Sequence, residues 1–130
     1  MAVLTTTGRQ HIADKLRATG GAAVGLVQAS PNDTMKFVGW GTGATAEAIG
    51  NTALATAAPE ARVSGAMTSP SAAVFQVVAT IVSAGTQTIT EVGLFDQLAA
   101  GGTMAVRALF TGIPLLAADS ISFTISVTII

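Results

Sequence analysis

From Ser120 to Ile129 the chain alternates hydroxyl and apolar side chains without an exception: Ser-Ile-Ser-Phe-Thr-Ile-Ser-Val-Thr-Ile. A period of two is the period of a β-strand, whose successive side chains point to opposite faces, so this segment specifies a half-buried antiparallel strand. Its hydroxyl face carries no charge. A long strand of that kind is prone to aggregate at its edge unless another strand or another chain covers it.

Other segments extend the β pattern. Ala73 to Ser83 carries Phe75, Val77, Ala79 and Ile81 on one side and Val74, Val78 and Val82 on the other, which predicts a strand lying between two packed layers. Ala84-Gly85-Thr86 turns into a strand from Gln87 to Phe95, and Asp96 to Gly102 turns into another from Thr103 to Thr111, with Met104, Val106, Ala108 and Phe110 in phase. Upstream, Ala22 to Gln28 and Met35 to Trp40 flank Pro31-Asn32-Asp33 and predict a hairpin. Arg62 to Thr68 predicts a further strand, ended by Ser69-Pro70-Ser71. Between residues 41 and 54, small residues without alternation predict a long connection with at most one helical turn.

The one helix predicted is Thr5 to Thr19, capped by Thr6 or Thr7 and ended by Gly20-Gly21, with Ile12, Ala13 and Leu16 on its core side and Arg9, Asp14, Lys15 and Arg17 on a solvated face. The expected architecture is a mainly β single domain, an antiparallel β-sandwich or jelly-roll-like barrel with a short N-terminal α-helix. Residues 1–21 form the N-terminal arm and helix and residues 22–130 the β-domain, within one domain over residues 1–130.

Composition then narrows function. Only 10% of the residues are charged, against roughly 25% in an average soluble domain. A neutral surface resists association poorly, so the expectation is that partners cover much of it. Six scattered basic residues and a net charge of −1 offer no footprint for a phosphate backbone, so no nucleic-acid partner is expected. No membrane partner is expected either, because the most apolar stretch, Met104 to Ala118, is interrupted by Arg107, Gly112 and Pro114 and falls short of the ~20 residues of a spanning helix. One Trp and no Tyr also supply no aromatic girdle for a membrane barrel.

Reactive chemistry is sparse. The absence of Cys removes thiol nucleophiles, thiolate metal sites and disulfides, and His11 cannot make a metal site alone. Gly39-Trp40-Gly41-Thr42-Gly43 lacks the Lys-Ser or Lys-Thr of a phosphate loop. Its glycines are read as permitting a tight bend, with Trp40 an anchor in the core or, preferentially, at an interface. Glu91 lies inside a strand, where a buried or interfacial carboxylate needs a cation; Arg62 and Arg107 are the available candidates, and an ion pair with Arg107 is expected. No catalytic, cofactor-binding or metal-binding residue is assigned, and no enzymatic activity is expected.

Several of these segments together resemble tailed-bacteriophage virion proteins: Ile89-Thr90-Glu91-Val92-Gly93-Leu94-Phe95-Asp96, Gly101-Gly102-Thr103-Met104-Ala105-Val106-Arg107 and Asp119-Ser120-Ile121, with Gly39 to Ala46, Asn51 to Leu54 and Arg62-Val63 upstream. The resemblance spans about residues 38–129 and is shared between capsid decoration (cement) proteins and tail-fibre or collar proteins. One compact domain without a long repetitive shaft favours the head. The resemblance implies a homo-oligomer, expected to be a trimer, made in the host cytoplasm and seated on the capsid exterior, where it clamps the major capsid protein. The candidate structural and interface residues are Trp40, Glu91, Gly93, Phe95, Arg107 and Phe123, with Gly93 admitting a close neighbour and Phe95 continuing its strand into the core.

Overall fold

In the computed structural model, which describes residues 2–9, 35–71 and 73–128, the chain is mainly β and forms two antiparallel sheets. Its strands are β1 (Val3–Leu4), β2 (Phe37–Gly41), β3 (Val63–Ser64), β4 (Ala66–Ser71), β5 (Val74–Val82), β6 (Gln87–Phe95), β7 (Met104–Leu115) and β8 (Ser120–Thr128). A five-stranded sheet runs β1-β7-β6-β2-β3, and a three-stranded sheet runs β4-β5-β8. This is the sandwich of the sequence reading; the barrel alternative falls, because the sheets do not close.

The core is the layer where the two inner faces meet. Val38 and Trp40 of β2, Ile89, Val92 and Leu94 of β6, and Val106 and Leu115 of β7 pack against Val77, Ala79 and Ile81 of β5. From β8, Ile121, Phe123, Ile125 and Val127 lean onto this core half-buried. The alternation of Ser120 to Thr128 thus appears as designed by its period, with every odd residue turned inward and every even residue exposed. The β5 pairing keeps the faces aligned over the full strand, from Val74 opposite Thr128 to Val82 opposite Ser120.

Several expectations are corrected. β5 is buried on one face only: Val82, on the other, is 55% exposed, because no layer among the described residues covers that side. The segment expected as one strand over Arg62 to Thr68 is two strands in different sheets, and the chain crosses between them at Gly65, whose N–H donates to the Lys36 carbonyl at 2.7 Å. Ser69-Pro70-Ser71 does not end a strand but lies within β4, where the register with β5 shifts between Thr68 and Ser71. Pro sits there because an edge strand can spare its N–H. β7 runs four residues past its expected end at Thr111 and includes Pro114.

Near the N-terminus the described residues hold a helical turn at 6–9. Its cap is Thr5 rather than Thr6 or Thr7: the Thr5 hydroxyl accepts from the Gly8 N–H at 3.0 Å and donates to the Met104 carbonyl at 2.6 Å. Beyond residue 9 the expected helix, His11, and the strand at Ala22 to Gln28 lie outside the described residues. The segment 42–57 contains no helical turn and touches the sheet through a bridge between Gly41 and Ala57.

Candidate functional site

The most organised polar cluster lies on the outer face of the five-stranded sheet. Along β6, Val92 and Leu94 face the core, which turns Glu91, Gly93 and Phe95 to the opposite side. Arg107 pairs with Gly93 in the β6–β7 register and shares that face. The expected ion pair forms: Arg107 Nε donates to Glu91 Oε2 at 2.8 Å, with both side chains buried.

Neither charge is left with bare lone pairs or protons. Glu91 Oε1 accepts from the backbone N–H groups of Thr56 at 2.8 Å and Gly43 at 3.1 Å, and Oε2 accepts from Ala55 at 3.0 Å. Arg107 donates to the Thr45 carbonyl at 2.8 Å, the Ala46 carbonyl at 3.3 Å and Asn51 Oδ1 at 3.0 Å. Asn51 Oδ1 also accepts from the Ala48 N–H. The pair therefore gathers both arms of the connection at 42–57 and fastens them to the sheet. Burial would raise the Glu91 carboxyl, but the Thr56 and Ala55 N–H groups and Arg107 outweigh it and hold the carboxyl below its ordinary value.

Glycines make room for this loop. In Gly39-Trp40-Gly41-Thr42-Gly43, Trp40 points into the core while the glycines underlie the covering segment. A Cβ on Gly41 would collide with the Thr56 carbonyl and sit 2.6 Å from Glu91 Oε1; one on Gly43 would sit 2.6 Å from the Ala55 Cβ and from the same oxygen. The bend expected here is replaced by a strand that continues through Gly41. Gly93 behaves as expected: a Cβ there would lie 3.0 Å from Leu54 and 2.8 Å from the Phe95 ring.

The same face extends to a second basic residue. Arg62 stacks 3.5 Å over the Phe95 ring, and its NH1 donates to the carbonyls of Gln97, Ala99 and Gly101 at 3.0, 2.7 and 2.8 Å. Burial lowers the Arg62 pKa, opposed by Asp96. Between the segments at 53–62 and 97–101 lies a cleft of about 500 Å³, floored by Leu54 and Phe95 and flanked by Glu60 and Arg62. Glu60 is occupied: it accepts from the Trp40 indole at 3.0 Å and from the Ala84 N–H at 2.8 Å.

Two candidate residues, Trp40 and Phe95, take places other than those preferred from the sequence, and Phe123 lies on the core side of its strand as the alternation predicts. Trp40 is 2% exposed and meets Phe123 edge-to-face at 6.2 Å, so it is a core anchor within the chain and not an interface residue. Phe123 completes that aromatic contact and a second one with Phe110 at 6.1 Å. Phe95 is buried under Arg62 on the outer side of the sheet, not in the sandwich core, because it shares the phase of Glu91 and Gly93. No pattern in the sequence marks Thr5 or Asn51 as an anchor, and Arg62, a candidate partner for Glu91, instead holds the segment at 97–101. Asn51 and Arg62 lie within segments that carry the phage resemblance, which was the available signal.

Among the described residues no group of three or more His, Cys, Asp or Glu side chains could hold a metal ion, and no helix is long and apolar enough to cross a membrane. Comparison with protein families, curated proteins and solved structures finds no match to this chain.

Proposed function

We propose that this chain is a structural protein of a tailed-bacteriophage virion, a head decoration or cement protein that works without catalysis by binding its own copies and the major capsid protein. The observation that carries the reading is where the resembling residues lie. Gly39 to Ala46, Glu91, Gly93 and Arg107 meet in one clamp whose polar groups are engaged with each other and with backbone. A motif spent on fastening a loop is a motif for holding shape, which suits a protein whose task is mechanical reinforcement. The charge-free outer face of the three-stranded sheet supplies surface for many weak contacts multiplied by symmetry.

The purified protein should sediment as an oligomer, a trimer on the family resemblance, and should bind capsids assembled without it. Monomer across a wide concentration range, together with no capsid binding, would overturn the reading. A second reading, a tail-fibre, collar or host-recognition module, draws on the cleft that the segments at 53–62 and 97–101 form together. Binding to host cells in place of capsids would select it.

A further inference from the structure

Two sheets have four edges, and three of them are blunted. β1 and β3, the edges of the five-stranded sheet, are two residues long each, and where β7 runs on past β1 it carries Pro114 and gives its Leu109 N–H to Glu47. β4, one edge of the three-stranded sheet, carries Pro70 and a register shift. Short strands, prolines and bulges are the devices by which sheets avoid adding a stranger's strand. β8, the fourth edge, has none of them: nine residues, no proline, no charge and an unbroken register with β5. Among the described residues, no strand pairs with its outer side.

We propose that β8 pairs antiparallel with β8 of a second copy of this chain about a two-fold axis through Thr124. The strand is complementary to itself. Centred on Thr124, the pair overlaps over all nine residues and sets Ser120 opposite the partner's Thr128, Ile121 opposite the partner's Val127, Ser122 opposite the partner's Ser126 and Phe123 opposite the partner's Ile125. Hydroxyl meets hydroxyl and apolar meets apolar, because two residues equidistant from a residue on the axis always share one parity with each other. A two-fold axis also brings each central residue against its own copy, which a charged strand would resist and this uncharged one does not. The half-buried Ile121, Phe123, Ile125 and Val127 gain cover, and the two three-stranded sheets become one sheet of six strands. This inference rests on the assembly reading and names the contact. A two-fold strand pair makes a dimer on its own, or links trimers to one another.

The chain has no cysteine, so one introduced thiol reports one place. At the axis of an antiparallel pair the two Cα atoms lie about 4.5–5.5 Å apart, within the roughly 4.4–6.8 Å that a disulfide spans. Thr124→Cys, on the exposed hydroxyl face, should therefore form a disulfide-linked dimer under mild copper–phenanthroline oxidation, at least tenfold faster than Ser69→Cys on β4 at equal concentration. Thr124→Lys, which places two ammonium groups at the axis, should lose this contact in sedimentation while keeping the wild-type circular dichroism. If the wild type is oligomeric and Thr124→Cys cross-links no faster than Ser69→Cys, the strand pairing is overturned and the assembly reading stands. If the wild type is monomeric and Thr124→Cys does not cross-link, the strand pairing is overturned, and the assembly reading falls with it when capsid binding is also absent.

Discussion

The two sheets share a core but treat their outer faces in opposite ways. The five-stranded sheet buries two charges on its outer face and satisfies them with its own loop. The three-stranded sheet has no charged residue on any strand, and its outer face sets Val74, Val78 and Val82 among hydroxyls and amides joined by side-chain bonds such as Thr80 to Ser122 at 3.1 Å and Gln76 to Ser126 at 3.0 Å. One face is closed by the chain that made it. Among the described residues, no strand or loop closes the other. In a chain with only 10% charged residues, this contrast sets the face that fastens a loop to the domain apart from one that carries no charge at all.

Breaking the closed face should produce the largest effects. Glu91→Gln leaves the buried Arg107 guanidinium uncompensated, and Arg107→Ala leaves the Glu91 carboxylate so. Each should cost about 3–5 kcal/mol in chemical denaturation, and the double variant should cost much less than the sum, which a double-mutant cycle reads directly. Additive losses would mean that the two residues act separately. Gly41→Ala forces a Cβ against the Thr56 carbonyl and should cost about 1–3 kcal/mol by overpacking. Gly93→Ala, which meets only the far ends of Phe95 and Leu54, should fall near 1 kcal/mol.

The clamp also sets a pH dependence. Glu91 is held below its ordinary value of 4.5 in the folded chain, so its contribution is complete at and above neutral pH. That contribution declines once the pH drops below this ordinary value and is gone below the lowered folded value. A stability titration from pH 7 downward should therefore fall more steeply for the wild type than for Glu91→Gln. On the open face the smallest effect is expected: Thr80→Ala, at an exposed position, should change stability by no more than about 0.5 kcal/mol.

How much of this was legible in the sequence follows from the range of the interactions involved. The alternation of Ser120 to Thr128 is a local signal, and it gave β8 and its faces directly. The Glu91–Arg107 pair was legible because a carboxylate inside an apolar strand demands a cation, and few were available. Long-range packing was not. Whether Val74, Val78 and Val82 face a layer or an open surface depends on which strands lie across from them, and periodicity alone reads a two-sided apolar strand as fully buried. Phe95 was misplaced for the same reason, since its hydrophobicity indicates burial but not which side of the sheet is covered. The glycines of Gly39 to Gly43 read as a bend because their real cause, a loop returning from residues 53–57, is remote in sequence.

Hydrogen exchange resolved by peptide and repeated across a dilution series tests the contrast most directly. The amides of Gly43, Ala55 and Thr56, which donate to Glu91, should stay protected at every concentration, because their cover belongs to the same chain. Protection at the outer edge of residues 120–128 should rise with concentration, because its cover comes from another copy. Unprotected exchange at residues 43 and 55–56, or concentration-independent protection of the β8 amides that point away from β5, would erase the contrast.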